Sequence, residues 1–246
     1  MKTVKICGAL LLAVFLCGCG QTKPTETTAP DERAIEDQLV TIWDARQTWR
    51  VLEETEGWCY AVTDLDGNGR LEILSSETHH GTGNFTTLRA WEVGEDGTSL
   101  NPITEDGEYG SGVVMSSGYV SDENPSAEAV VSYTDGSVTY YIQDDMNKDG
   151  YAHYYERKLA VFLKDGKLRA LTLATMQTDY EEDGKATVTC QDADGQTISQ
   201  DDYDTAGERH FAGIPRKNAA FGWLTCLHSE ELSEDLLRQS WECFQN

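Results

Sequence analysis

Three carboxylates and an amide crowd one short stretch of this chain, TDLDGNGRLEIL, Thr63 to Leu74. Asp64, Asp66 and Asn68 stand at alternate positions, which turns their side chains the same way, and Glu72 follows at the ninth position. Hard divalent cations ask for this donor set. Calcium takes six to eight oxygens at about 2.3–2.6 Å, often from alternate residues of a tight loop. Gly69, at the sixth position, permits the sharp turn, and Arg70, at the seventh, would offer its backbone carbonyl while its charge points away. Glu72 can ligate directly or through a water, and Leu71 is the apolar residue that anchors such a loop to a core. The competing reading is a solvated Asp-Gly-Asn-Gly turn, acidic because the protein is acidic.

The loop departs from an EF-hand at its twelfth position, where a bidentate Glu is wanted and Ser75 stands. Its flanks, WCYAV before and LEILSSE after, read as strands rather than helices. DLDGNGRLEI instead resembles the calcium loops of FG-GAP and VCBS repeats, D-x-[DN]-G-[DN]-G-x-x-[DE]-[ILV], at every position. The resemblance spans about thirty residues, as far as the strand FTTLRAWEV. It implies Asp64, Asp66, Asn68, Arg70 (through its carbonyl) and Glu72 as ligands of one Ca2+, with the ninth-position acid closing the site. It does not imply a propeller built of several such repeats.

A second candidate loop lies in DDMNKDGYAHYYE. Asp145, Asn147, Asp149, Tyr151 (carbonyl) and Glu156 fall at the first, third, fifth, seventh and twelfth positions. His153, at the ninth, is an unusual calcium ligand, and an ordinary Asn-Lys-Asp-Gly turn explains the same residues. No catalytic residue is assigned. HHGTGNF, from His79, lacks the third glycine of a dinucleotide fingerprint and the lysine of a P-loop, and neither H-E-x-x-H nor G-x-S-x-G occurs. Cys226 and His228 are neighbours with no orienting residue to complete a site. Tyr140, Tyr141, Tyr151, Tyr154 and Tyr155 gather near the second loop, either as a sugar-stacking platform or as cross-strand packing.

The elements that must position these residues are written in two periodicities. Ile35, Leu39, Ile42, Trp43, Trp49 and Leu52 recur at helical steps, and so do Leu237, Trp241 and Phe244 behind the capping residue Ser233. Between these end helices Asp-Gly pairs recur, and several join two apolar runs. AVFLKDGKLRAL, turning at Asp165-Gly166, is the clearest hairpin. Connections this short leave little room for crossover helices. The expectation is an α+β domain: a central antiparallel β-sheet meander flanked by an N-terminal and a C-terminal helix, with Trp43, Trp49 and Trp241 against the sheet.

The start of the chain speaks to location. MKTVK is basic, ICGALLLAVFLCG is an apolar run too short for an ordinary span, and LCGC ends at Cys19. This resembles the signal peptide and lipobox of bacterial lipoproteins. The resemblance implies removal of residues 1–18 and lipidation (palmitate among the acyl chains) of Cys19, which would anchor the protein in the cell membrane facing outside the cytoplasm. Residues 19–30, rich in Thr and Pro, read as a tether, and 31–246 as a single extracytoplasmic domain. Loss of Lys2 and Lys5 would take the formal charge from −24 to −26. Such a charge excludes nucleic acid as a partner held by bulk electrostatics. Cys59, Cys190, Cys226 and Cys243 could form two disulfides or remain thiols. The function expected is a non-catalytic binding or scaffolding lipoprotein with a calcium loop and an envelope ligand, polysaccharide or protein. The alternatives are a calcium-dependent hydrolase of envelope polymers and a carbohydrate-binding module.

Overall fold

The computed structural model describes residues 32–50, 58–77, 87–106, 125–225 and 232–245. In chain order its elements are α1 (Glu32–Asp44), α2 (Arg46–Trp49), β1 (Trp58–Thr63), β2 (Glu72–Glu77), β3 (Thr87–Val93), β4 (Leu100–Asp106), β5 (Ser126–Asp135), β6 (Val138–Asp149), β7 (His153–Lys164), β8 (Lys167–Tyr180), β9 (Ala186–Asp192), β10 (Thr197–Ile198), α3 (Gln200–Asp204), α4 (Ala206–His210), β11 (Arg216–Thr225) and α5 (Glu234–Gln245). The Asp165-Gly166 turn closes the β7–β8 hairpin with both residues at positive φ, as its sequence predicts. Ser233 caps α5, accepting a hydrogen bond from Leu236 N at 3.3 Å.

The meander does not stay an open sheet, and the expected α+β class is corrected here. The described chain is 53% strand and 22% helix, and nine strands close into a barrel. The order around it is β8-β4-β3-β2-β1-β11-β5-β6-β7, and β7 returns to β8. Closure depends on β8, which is fourteen residues long. Its first residues pair on one side with β7 and on the other with β4, in parallel, from Thr104↔Lys167 to Asp106↔Arg169. Further along, that second edge passes to β9, from Ala174↔Asp192 to Tyr180↔Ala186. A single long strand thus ends the meander and seals it, which leaves β9 and β10 outside the barrel wall.

Alternation then divides the apolar residues between two sides of the wall. Cys59, Ala61, Leu74, Ala90, Val130, Tyr141, Val161, Phe221 and Trp223 fill the barrel. Trp58, Tyr60, Val62, Ile73, Trp91 and Leu224 face outward beneath α1 and α5. Every residue of β1 is therefore buried. Trp49 and Trp241 are buried in this outer layer and Trp43 packs partly against it, as the helical periodicity predicts. Trp49 donates its indole N–H to Ile42 O at 2.8 Å, so its one polar group is satisfied. A third cluster, Tyr133, Ala160, Leu173, Tyr203 and Phe211, packs the short helices α3 and α4 on the opposite outer wall. Neither helix was expected, although Ser199 and Asp202 form a capping box at the start of α3. Cys190 and Cys243 are free thiols, which rules out two disulfides among the four.

The helix α5 enters the wall rather than lying on it. Among the described residues β1 and β11 pair only at Cys59↔Thr225 and Tyr60↔Leu224. Past that point Ser240 bridges them: Val62 N–H donates to Ser240 Oγ at 2.9 Å, and the Ser240 hydroxyl donates to Gly222 O at 2.5 Å. Phe244 follows into the barrel end, 5.6 Å from the Phe221 ring and 6.5 Å from Tyr141. Gly222 is what allows this approach, because a Cβ there would stand 2.8 Å from Ser240 O and from Cys243 Cβ. Both neighbours belong to the packed helix and cannot withdraw cheaply. Gly222→Ala should cost about 1–3 kcal/mol, read as a lower urea midpoint at unchanged m value. An unchanged midpoint would show that α5 does not sit in the wall.

Candidate metal centre

β1 and β2 pair down to Thr63↔Glu72, so the acidic loop is the connection of a β-hairpin. Its two apolar residues straddle the wall. Leu65 joins the barrel interior and Leu71 the outer core, which draws the polar residues between them over the barrel end. Gly69, at φ +83°, makes the turn expected of the sixth position.

Glu72 lies on the same strand face as Leu74 and is fully buried. Its Oε2 accepts hydrogen bonds from Thr63 Oγ1 at 2.9 Å and from Leu65 N at 2.8 Å. Its Oε1 is buried without a hydrogen-bond partner. Asp64 repeats the pattern: Oδ2 accepts from Gly69 N at 3.1 Å, while Oδ1 is buried and unpartnered. Asp66 completes the set, and one carboxylate oxygen from each of Asp64, Asp66 and Glu72 lies within 4.8 Å of the others. Oxygens that share one calcium at about 2.3–2.6 Å are separated by distances of this order.

The other two expected ligands are placed differently. The Asn68 amide donates to Asp66 Oδ2 at 3.1 Å and to Glu92 Oε1 at 2.8 Å, and its oxygen accepts from Arg70 N at 2.7 Å. These hydrogen bonds brace the loop. The Arg70 guanidinium turns away, as expected, onto Glu92 at 2.8 Å and Glu95 at 3.5 Å.

Three residues that the sequence reading missed hold the loop from elsewhere. Gln38 of α1 donates to Gly69 O at 3.0 Å and accepts from Leu71 N at 2.8 Å. Glu92 of β3 takes Asn68 and Arg70, and Tyr141 of β6 donates from inside the barrel to Leu65 O at 3.1 Å. Gln38 carries a legible signal, a polar residue within the apolar helical face of Ile35, Leu39 and Ile42. Glu92 carries none, because its place opposite Glu72 depends on the β2–β3 register.

The electrostatics are those of carboxylates held together and out of water. Burial pushes the Asp64 carboxyl up to about 6 against the opposing Gly69 N–H, and the charge of Asp66 adds to the rise. Burial, then the charge of Asp64, holds Glu72 well above the ordinary carboxylate range in spite of its hydrogen bonds from Leu65 and Thr63. Burial also raises Asp66, with Asn68 N–H opposing and Glu92 adding to it.

The second expected loop is not gathered. Asp145 to Asp149 lie in β6 and pair residue by residue with β7, from Asp145↔Arg157 to Asp149↔His153. Asp145 is engaged by the Arg157 guanidinium, Met146 stands opposite Glu156 and Asn147 opposite Tyr155, and Tyr151 is 85% exposed at the tip. Asp145 and Asp149 are four strand residues apart, about 13 Å, too far to share an ion. Nor do the tyrosines form a flat row. Tyr155 and Tyr154 are successive and face opposite sides of the sheet, and Tyr154 meets Tyr180 edge-on at 73°. Cys19, His79, His80, Cys226 and His228 lie outside the described residues.

Comparison of the chain with protein-family models, with curated proteins and with solved structures finds no match. The likeness to FG-GAP and VCBS loops therefore rests on the loop residues themselves.

A pH dependence follows. An acid whose pKa is higher in the folded than in the unfolded state binds its proton more tightly when folded, so its contribution to stability declines as pH rises through the folded value. For Asp64, with an ordinary value of 3.8 and a folded value of about 6, that window is pH 4–6. A bound cation holds the carboxylates ionised and cancels the loss. The rise in thermal midpoint on adding saturating calcium should therefore be small at pH 4 and grow to pH 7. A rise independent of pH would remove these carboxylates from the binding reaction.

Proposed function

We propose that the protein is a non-catalytic calcium-binding barrel module of the cell envelope, anchored through a lipid on Cys19. The observation that carries the calcium reading is the gathering of Asp64, Asp66 and Glu72 in one hairpin loop, with Glu72 Oε1 and Asp64 Oδ1 buried and unpartnered. A buried polar atom without a partner costs roughly 1–3 kcal/mol, more when charged. Two of them converging with a third carboxylate are satisfied together by one hard dication, with water completing six to eight ligands. Support for the anchor is the LCGC sequence behind a basic start and an apolar run. A non-catalytic role is supported by the occupation of the loop: Gln38, Glu92 and Tyr141 tie it to three elements, and its central acid is fully buried. The ion would rigidify the barrel end, and the module would present its surface to an envelope polysaccharide or protein.

Isothermal calorimetry of the full chain in detergent should find one calcium site, with magnesium much weaker. Extracellular sites of this kind have Kd on the order of 10⁻⁴–10⁻³ M, and a hundredfold excess of ion over Kd adds about 2.7 kcal/mol of stability. Glu72→Gln keeps the shape and removes the charge. It should weaken calcium at least tenfold, whereas Glu156→Ala should leave it unchanged. Absence of calcium heat in the wild-type chain would overturn the reading. The anchor is checked separately, since Cys19→Ala should move the protein from the membrane to the soluble fraction.

A further inference from the structure

The strands β5 and β6 begin as a tight hairpin but stay paired only over four positions, from Asp135↔Val138 to Ser132↔Tyr141. Beyond Ser132 and Tyr141 they part. β5 continues with β11 as far as Ser126, and β6 continues with β7 as far as Asp149. Each strand turns the N–H and C=O of alternate residues to its two sides. Among the described residues, Glu128 to Val131 and Ile142 to Asp144 have ladder partners only on the sides away from one another. The barrel wall opens here into a cavity of about 400 Å³, covered by Asp204 of α3 and by Gly207 and Glu208 of α4. That is a volume typical of small-ligand sites.

Two buried polar atoms face this seam without partners. Glu128 pairs with Phe221 in the ladder and shares the inner face with Val130, so its carboxylate stands behind the opening. Its Oε2 is buried and unpartnered. The Trp223 indole is near enough to favour the charge but lies outside hydrogen-bonding geometry. At the other end, Tyr133 is 2% exposed and its hydroxyl is buried and unpartnered, within the fields of Glu208 and Arg216. The two cations of the lining are taken: Lys158 by Asp144 at 2.7 Å and Arg216 by Glu208 at 3.1 Å. Among the described residues no cation pairs with Glu128 or Asp204.

We propose that the seam between β5 and β6 binds a linear aliphatic polyamine, with one ammonium on Glu128, its methylenes along Val130, Val131 and Ile142, and a further ammonium at Asp204. Anions are excluded by the carboxylates. A single metal ion fails because the seam acids do not converge, the one described cluster tight enough for an ion being Asp64, Asp66 and Glu72. Carboxylates spread along a slot with apolar walls call for charges spread along a chain. Glu128 and Tyr133 are five strand residues apart, about 16 Å, and the Tyr133 hydroxyl can accept an ammonium N–H. The proposal is independent of the calcium site, so either can fail without the other.

The test is calorimetry of the full, calcium-saturated chain at about 0.15 M salt, where weak surface charge effects are screened. The probes are spermidine, n-butylamine and magnesium. Spermidine should bind with one-to-one stoichiometry, and n-butylamine at least tenfold more weakly. Magnesium at equal charge should not displace spermidine. Glu128→Gln and Asp204→Asn should each weaken spermidine about tenfold at unchanged thermal midpoint. Asp183→Asn, which removes the same charge from an exposed turn, should have no effect. Absence of saturable spermidine binding would overturn the proposal. So would equal weakening by Asp183→Asn, since that would mean only that a polycation screens an acidic chain.

Discussion

A carboxylate buried at the end of a barrel is the constraint around which this hairpin is arranged. Glu72 is inaccessible to water, and its desolvation is offset on one oxygen only, by the Thr63 hydroxyl and the Leu65 N–H. An isolated buried anion is among the costliest groups a fold can hold, and in water-free surroundings it takes up a proton instead. The hairpin does not relieve that cost, because it places Asp64 and Asp66 against the same point. Leu65 and Leu71, each fixed in a different core, prevent the loop from swinging its acids out to solvent. The apolar packing that stabilises the barrel thus holds its acids together, an arrangement that the proposed cation would relieve.

The same two-sided packing explains why the wall differs around its circumference. Where α1 and α5 cover it, β1 is buried throughout, and α5 even replaces part of the β1–β11 ladder through Ser240. Where only the five-residue helices α3 and α4 cover it, β5 and β6 separate and a cavity remains. A long amphipathic helix can supply both the apolar area and the hydrogen bonds that close a gap in a sheet. Short helices held by a capping box and by the packing of Tyr203, Ala206 and Phe211 on the wall supply neither along the whole seam.

Local structure was legible in the residues, and closure was not. The Asp165-Gly166 hairpin, the helical faces of α1 and α5, the Ser233 cap and the acidic loop all depend on neighbours within a few positions. The barrel depends on long-range edge pairing: β4 meets β8 in parallel, more than sixty positions away, and β11 is inserted between β1 and β5. No periodicity encodes it. An open meander and this barrel share the same alternation and the same turns, and they differ in which distant edges β8 and β11 find. The helices α3 and α4 escaped because five residues do not complete a periodic pattern. At the site, the gathering of the three acids was legible from spacing alone. The DDMNKDG segment misled for a physical reason: its alternate acids suit an extended strand as well as a loop, and Arg157 opposite Asp145 decides for the strand.

The supports of the acidic loop determine how far an ion's effect would travel. Gln38 makes both of its hydrogen bonds to loop backbone, Gly69 O and Leu71 N, from within α1, the first described helix. Each such bond contributes about 0.5–1.5 kcal/mol net, and a partner left buried without one costs more. Loop and helix therefore cannot relax separately, since a shift of the loop breaks its contact with α1. Tyr141 extends the same coupling inward, because its hydroxyl holds Leu65 O while its ring packs on Phe221 at 5.5 Å, edge to face. Phe221 in turn stacks beside Trp223 and meets Phe244 of α5. The path from the carboxylates to both end helices is one of direct contacts throughout. The proposed occupancy of this loop would therefore bear on the docking of both end helices through those contacts.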